Sequence, residues 1–329
     1  MENSDISCCI IIPSHVSSTK NLFFFDKCLD SLTKQTNVIP IYLSVSFDSV
    51  DSVDNKNLKR QLNDLIEKYK LVNVIMRETK KSQFSHIQKT FNEIKHKFDW
   101  YLFCDDDDTY NLNRVEVFLF TIKQIIIQLK NQNKLCAGIY EEINRHSHLT
   151  NRMEYWQYAI NKNVLEQFFD RLQKYENKSP NGLMGSLIDH KFCDILFVEF
   201  LRRLDNSHMF FIIQGTLYNY NKNNNGVTGQ IQMAKQEMQK NKGTGIDDVN
   251  LYIKLLNEYI DKNLSYVHDN IFFLTIAGIN FDDALKRSFS INLHEYLKYI
   301  DSDKIKKLKN YHNSITLACQ QIYQQNNKN

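Results

Sequence analysis

Four consecutive carboxylates, Asp105 to Asp108, follow the apolar run Trp100-Tyr-Leu-Phe-Cys104. Adjacent like charges repel, and each raises its neighbours' pKa unless a cation answers them. Carboxylates grouped in this way suit a hard divalent cation, Mg²⁺ or Mn²⁺, that keeps some waters and takes its other ligands from phosphate oxygens. A solvated helix start is the other use of such a run, because acidic side chains favour first helical turns. The strand-like segment in front of it favours the first use: in open α/β sheets ligands bind beyond the carboxyl ends of the strands. Fewer of the remaining reactive side chains point anywhere. His86, His96, His146 and His148 lack the spacing of a zinc site and read as core-satisfied or solvated. Tyr155-Trp156 offers aromatic faces that suit an acceptor sugar or, equally, a buried core.

The elements that must position the acidic run follow an alternating pattern. Cys8 to Pro13, Pro40 to Phe47, Val72 to Arg77 and Trp100 to Cys104 read as strands, the first and last of them buried, and helical periods lie between them at Phe23 to Gln35, Lys56 to Tyr69 and a helix capped by Ser82. That alternation predicts βαβ units around a mainly parallel sheet flanked by helices. Further on, the pattern predicts helices at Val115 to Lys130, Val164 to Lys174 and Cys193 to Leu204. It predicts strands at Leu135 to Tyr140, near Tyr155 to Ile160, and at Phe210 to Tyr218. Glu176 to His190, with Pro180, Gly182 and Gly185, reads as a loop. Beyond Gly229 the pattern turns helical, with stripes through Val249 to Ile260 and Ile305 to Cys319. The expected division is 1–229 for the α/β domain and 230–329 for a helical appendage, which could also join two copies of the chain.

Composition narrows the function classes. The 329 residues carry 41 Lys and Arg against 38 Asp and Glu, a net charge of +3 that selects no nucleic-acid partner. Seven cysteines without a C-x-x-C spacing favour a reducing compartment, and with no apolar stretch of spanning length the expectation is a cytoplasmic protein without a transmembrane span. Neither G-x-G-x-x-G nor a Walker A motif is present, so any nucleotide is held by other means.

Three pieces in order, CCIIIPSH at 8–15, the strand ending in Phe47-Asp48, and WYLFCDDDDTYNLNRV at 100–115, resemble a nucleotide-sugar glycosyltransferase of the GT-A fold, family 2-like. The resemblance implies a metal-dependent, inverting hexosyltransferase acting on a nucleoside diphosphate sugar, a UDP-sugar by default, and a glycan or other hydroxyl acceptor. It places Pro13, Ser14, His15 and Asp48 beside the nucleoside. Asp105 and Asp107 become the outer carboxylates of the Asp-x-Asp motif, with Asp106 or Asp108 able to take either place, so ribose falls to Asp105 or Asp106 and the metal to Asp105, Asp107 or Asp108. The acidic pair that opens a helix after the acceptor loop corresponds to Cys193-Asp194, which makes Asp194 the catalytic base; the Glu of that pair is absent. A later Tyr-Arg-x-His element is echoed as Tyr220-Asn221-Lys222-Asn223, with Asn at the position of a metal-binding His.

Two other readings stay open. Asp105-x-Asp107-x-Thr109 is similar to the nucleophile loop of haloacid dehalogenase-like phosphatases, with Gly245-Ile-Asp247-Asp248 as later metal-binding acids, although that strand is normally the first of its domain. A non-catalytic carbohydrate-binding module on a transferase scaffold would use the same pocket without turnover.

Overall fold

The structure, a computed structural model, describes residues 6–47, 53–77, 79–129, 132, 134–142, 153–178, 186–221, 257, 261, 264–289 and 300–323. These divide into two compact units, one formed by the described residues up to Asn177 and from Ser186 to Asn221, the other by Lys178 and those after Asn221. The expected boundary near residue 230 lies outside the described residues, as do the stripe residues Val249, Tyr252, Ile253, Leu256 and Ile260 and the Gly245 to Asp248 acids.

The first unit is an α/β sheet of seven strands in the order β3-β2-β1-β4-β7-β6-β8. Its first half is the parallel array that the sequence predicts: β1 (Cys8–Val16), β2 (Ile41–Phe47), β3 (Asn73–Arg77) and β4 (Trp100–Phe103). Helices α1 (Thr19–Thr33), α2 (Val53–Lys68) and α3 (Gln83–Ile94) provide the crossovers. Ser18 and Ser82 cap α1 and α3 by accepting the backbone N–H groups of Asn21 and Ser85. Ser18 therefore starts α1 one turn before the apolar stripe suggests. The stripe Phe84, Ile87, Phe91 and Ile94 is buried.

The second half is mixed. Helix α4 (Arg114–Leu129) leads into β6 (Leu135–Glu142), and a 3-10 turn at Tyr155–Gln157 feeds β7 (Tyr158–Asn161), which runs antiparallel to both β4 and β6. Helices α5 (Lys162–Lys178) and α6 (Cys193–Leu201) follow, so α5 extends three residues into the expected loop. The single strand expected over Phe210 to Tyr218 is two. The first is β8 (His208–Gln214), parallel to β6, and the chain breaks at Gly215, whose φ of 114° lies in the region that L side chains rarely enter. It resumes as β9 (Tyr218–Asn219), paired antiparallel with β5 (Thr109–Tyr110), a two-residue strand just after the acidic run.

In the second unit, α7 (Leu264–Ile276) packs against α8 (Phe281–Phe289) and α9 (Ser302–Tyr323). The stripe expected through Ile305 to Cys319 lies in α9, which buries Leu308, Ile315 and Cys319, while the His268 and Tyr311 rings stack 4.5 Å apart between α7 and α9. Among the described residues no helix is long and apolar enough to cross a membrane.

Candidate functional site

β4 is buried along its length, and Cys104 behind it is fully covered, so the chain leaves the sheet only at Asp105. The four aspartates then meet four different environments. Asp105 is half-buried; its Oδ1 accepts from the Tyr155 hydroxyl in a short contact and from Gln83 Nε2 at 2.7 Å, at the first residue of α3. Asp106 Oδ2 accepts from Ser14 Oγ at 2.5 Å, near the end of β1. Asp107 is half-buried beside them. Asp108 is fully buried, its Oδ2 taking the Tyr218 hydroxyl at 2.7 Å and its Oδ1 the Asn221 backbone N–H at 2.6 Å. Both oxygens of Asp108 thus accept hydrogen bonds within the protein, and the one from Tyr218 ties the acidic turn to β9.

The remaining carboxylates sit in a costly field. Burial first, then the charge of Asp108, hold Asp105 well above the usual carboxylate range, with Asp107 and Asp106 adding to the effect. Burial, with Asp107 adding to it, pushes Asp106 up to about 7 although the Ser14 hydroxyl pulls the other way. A folded-state pKa above the unfolded one stabilises the native chain at low pH, and this contribution is lost as pH rises from about 4 through 7. For Asp106 the full displacement corresponds to about 4 kcal/mol, and partial exposure reduces it to roughly 2 kcal/mol. Asp106→Asn is therefore expected to be more stable than the wild type at pH 8 in the presence of a chelator, with the difference shrinking towards pH 4. Denaturant titrations of the two proteins at both pH values measure it, and an equal or lower stability of the variant at pH 8 would contradict the stated cause.

Among the described residues no three His, Cys, Asp or Glu side chains converge on one cation position. The donor chemistry does fit a hard cation with one or two carboxylates, the part exposed Asp105 and Asp107, that completes its shell with water and phosphate oxygens; it does not fit a tight all-protein site.

The other expected site residues are placed as follows. Pro13, Ser14 and His15 lie at the carboxyl end of β1, past Ile11, where the pairing with β4 ends. His15 Nδ1 is 3.0 Å from Ser46 Oγ on β2. Asp48 lies outside the described residues. Asp194 stands in the first turn of α6, half-buried, and it is not the N-cap, which falls on Phe192. The charge of Asp194 reaches the Tyr155 hydroxyl that holds Asp105, so both carboxylates act on one phenol.

Tyr155 and Trp156 take the core alternative of the two that the sequence left open. Both are buried, at 2% and 3% exposure, and neither presents a face to an acceptor sugar. Trp156 stacks on Tyr218 with ring centroids 4.1 Å apart and planes 16° apart, and Tyr155 packs edge-on to Phe84. Sequence reasoning also missed Gln83 and Tyr218, the groups that hold the turn. No local signal marks them, because their partners lie 22 and 110 residues away.

No family model matches the sequence, and no curated protein does. Among solved structures the chain is similar to S. aureus TarS over 97% of its length, at 11% identity and a TM-score of 0.42. It is similar to S. aureus TarS 1–349 in complex with UDP over 94% of its length and 91% of that chain, at 11% identity and a TM-score of 0.43. A third similarity, over 70% of this chain and 97% of the other, is to 4-diphosphocytidyl-2C-methyl-D-erythritol synthase from Anaerococcus prevotii, at 11% identity and a TM-score of 0.38. The chain spans 55% of the first of these structures.

Proposed function

We propose that this chain is a glycosyltransferase of the GT-A type that takes a sugar from a nucleoside diphosphate sugar, with UDP as the expected nucleotide, and passes it to an acceptor hydroxyl. The observation that carries the reading is the position of the acidic turn: part-buried carboxylates at the carboxyl edge of a parallel sheet, joined by Ser14 to the end of β1. Such an edge is where α/β sheets bind ligands, and the clustered negative charge calls for a cation with phosphate oxygens around it.

In this reading Asp105 and Asp107 hold Mg²⁺ or Mn²⁺, which when bound neutralises charge on the departing diphosphate. Tyr155 and Gln83 fix the Asp105 carboxylate, so its orientation is set before the donor arrives. Pro13, Ser14 and His15 flank the nucleoside, and Asp106, held by Ser14, faces the ribose. Asp194 removes the acceptor proton as that oxygen attacks the anomeric carbon from the face opposite the diphosphate, and the C–O bond to the diphosphate breaks with inversion. The leaving group needs no protein acid, since diphosphate departs without protonation.

The test is calorimetry of UDP binding with and without Mn²⁺. Mn²⁺ alone is expected to bind weakly, UDP to bind with Mn²⁺ present, and Asp105→Asn to lower UDP affinity at least tenfold. Absence of Mn²⁺-dependent UDP binding in the wild-type chain would overturn the metal-nucleotide reading.

A further inference from the structure

On the face of the sheet that meets α3, a chain of hydrogen bonds runs from Arg77 to His15. Arg77 Nε donates to Ser44 Oγ at 3.2 Å, and Ser44 Oγ lies 2.8 Å from His86 Nδ1. His86 Nε2 lies 2.9 Å from Ser46 Oγ, and Ser46 Oγ lies 3.0 Å from His15 Nδ1. Strand geometry brings these groups together. Ser44 and Ser46 are two residues apart on β2 and so share a face, and Ser46 pairs with His15 of β1 on one side and with Arg77 of β3 on the other. His86 reaches them from α3, and like both serines it is buried. Ser46 Oγ also accepts the Lys81 backbone N–H at 3.3 Å.

The direction of every bond in this chain follows from its far end. A guanidinium has donors and no acceptor, so Ser44 Oγ must accept from Arg77 Nε. Among the described residues the one other hydrogen-bond partner of that hydroxyl is His86 Nδ1. Ser44 therefore donates its own proton to Nδ1, because the reverse would leave a buried hydroxyl proton without an acceptor. Burial, the largest cause, holds the His86 imidazole down to about 3, so the ring is neutral, and a neutral ring that accepts at Nδ1 carries its proton at Nε2. His86 Nε2 then donates to Ser46 Oγ. With its two lone pairs taken by the His86 and Lys81 N–H groups, Ser46 has only its proton left for His15, and Nδ1 is the acceptor.

We propose that His86 is a positioning residue that fixes, through Ser46, which nitrogen of His15 carries the proton: Nδ1 accepts from Ser46, and Nε2 is the donor that His15 offers to a ligand. What His15 recognises is then a hydrogen-bond acceptor. Only the identity of that ligand rests on the transferase reading, in which His15 flanks the nucleoside and the acceptor atom belongs to the nucleotide. The same helix donates from Gln83 to Asp105 at 2.7 Å, so α3 orients both His15 and a carboxylate of the acidic turn.

The experiment is long-range proton–nitrogen correlation spectroscopy of the isotope-labelled full chain at pH 8 without nucleotide, which reads the tautomer of each histidine ring. The His15 resonances are those absent from His15→Gln. The wild type is expected to show His15 as a single tautomer with its proton on Nε2. In His86→Leu, and in the milder Ser44→Ala, whose hydroxyl reaches His15 only by way of His86 and Ser46, the His15 resonances should move to values averaged between two tautomers. Melting curves confirm that the variants fold. A wild-type His15 protonated at Nδ1 would overturn the proposal, and that result needs neither variant. An unchanged His15 tautomer in either folded variant would overturn it too, since a role confined to packing leaves the tautomer alone. Calorimetry of UDP with Mn²⁺ tests the ligand: His15→Leu is expected to lower affinity about fivefold, the effect of one lost hydrogen bond, and His15→Gln, which keeps an N–H donor, to stay within about twofold. Equal UDP binding by His15→Leu and the wild type would overturn the nucleotide as the acceptor. Because the spectra are recorded without nucleotide, failure of the transferase reading leaves them decisive.

Discussion

Asp194→Asn is expected to lower turnover by roughly 10² to 10⁴-fold while leaving donor affinity within about twofold, because a general base acts on the acceptor and contributes in the transition state. The location of Asp194 supports this split. It lies in the first turn of α6 without serving as its cap, so Asn costs the helix little. Its charge reaches that turn at Tyr155, the phenol that holds Asp105. Steady-state kinetics with UDP-sugar donors, paired with calorimetry of UDP, separates the two effects. Asp105→Asn should show the reverse pattern, losing donor affinity first. If turnover is untouched in Asp194→Asn while Asp105 becomes covalently phosphorylated with a phosphate mimic, the chemistry is that of the phosphatase class and the transferase reading falls.

The second large effect concerns stability. Arg114 and Glu141 form a fully buried ion pair at 2.6 Å, both at 0% exposure. Arg114 Nη2 donates to the Trp156 carbonyl at 2.9 Å, and its guanidinium lies over the Tyr110 and Phe118 rings at 4.1 and 4.7 Å. The rings face a cation whose Nη1 has no hydrogen-bond acceptor. Glu141 Oε2 in turn accepts the backbone N–H groups of Leu217 and Tyr218, at 2.5 and 2.8 Å, which fixes β9. Glu141→Ala leaves a buried guanidinium unpaired and two N–H groups unsatisfied, and is expected to destabilise by about 3–5 kcal/mol. The corresponding fall in melting temperature is on the order of 10 °C. Since Tyr218 holds Asp108, the variant should also bind UDP and Mn²⁺ more weakly below its melting temperature. The paired change Arg114→Met/Glu141→Leu removes both charges and should be less damaging to stability than Glu141→Ala alone. A Glu141→Ala protein that melts within 2 °C of the wild type would show that the pair is dispensable.

The prediction for Glu141 marks where sequence reading stops. Apolar runs bounded by turn residues were sufficient to place β1 to β4 and the helices between them: β1, β2 and β4 are buried along nearly their whole length, and strands covered on both faces are rich in apolar residues. The end of such a run also located the acidic turn at a sheet edge. Local composition likewise carried the Ser82 cap, whose partner lies three residues away, but not the Ser18 cap, which precedes the apolar stripe of its helix. It could not carry the pairing of β5 with β9, two residues each and more than a hundred apart, since such short strands have no periodicity of their own. Nor could it show that Tyr155 and Trp156 turn inward, because an aromatic pair suits a core and a sugar equally well.

The four aspartates show the division most directly. In the sequence they are the same side chain four times, and their shared charge is enough to raise the question of a cation. Which of them can answer it depends on the neighbours that folding supplies. Tyr218 and Asn221 bond to Asp108, Ser14 holds Asp106, and Tyr155 with Gln83 fixes Asp105. Those partners come from β9, β1, the turn before β7 and the start of α3, elements that meet only in the folded sheet. The amino-acid sequence by itself determined that charge collects at the end of β4; the tertiary structure decided how each carboxylate is used, because hydrogen bonding and desolvation at a side chain depend on residues far from it in the chain.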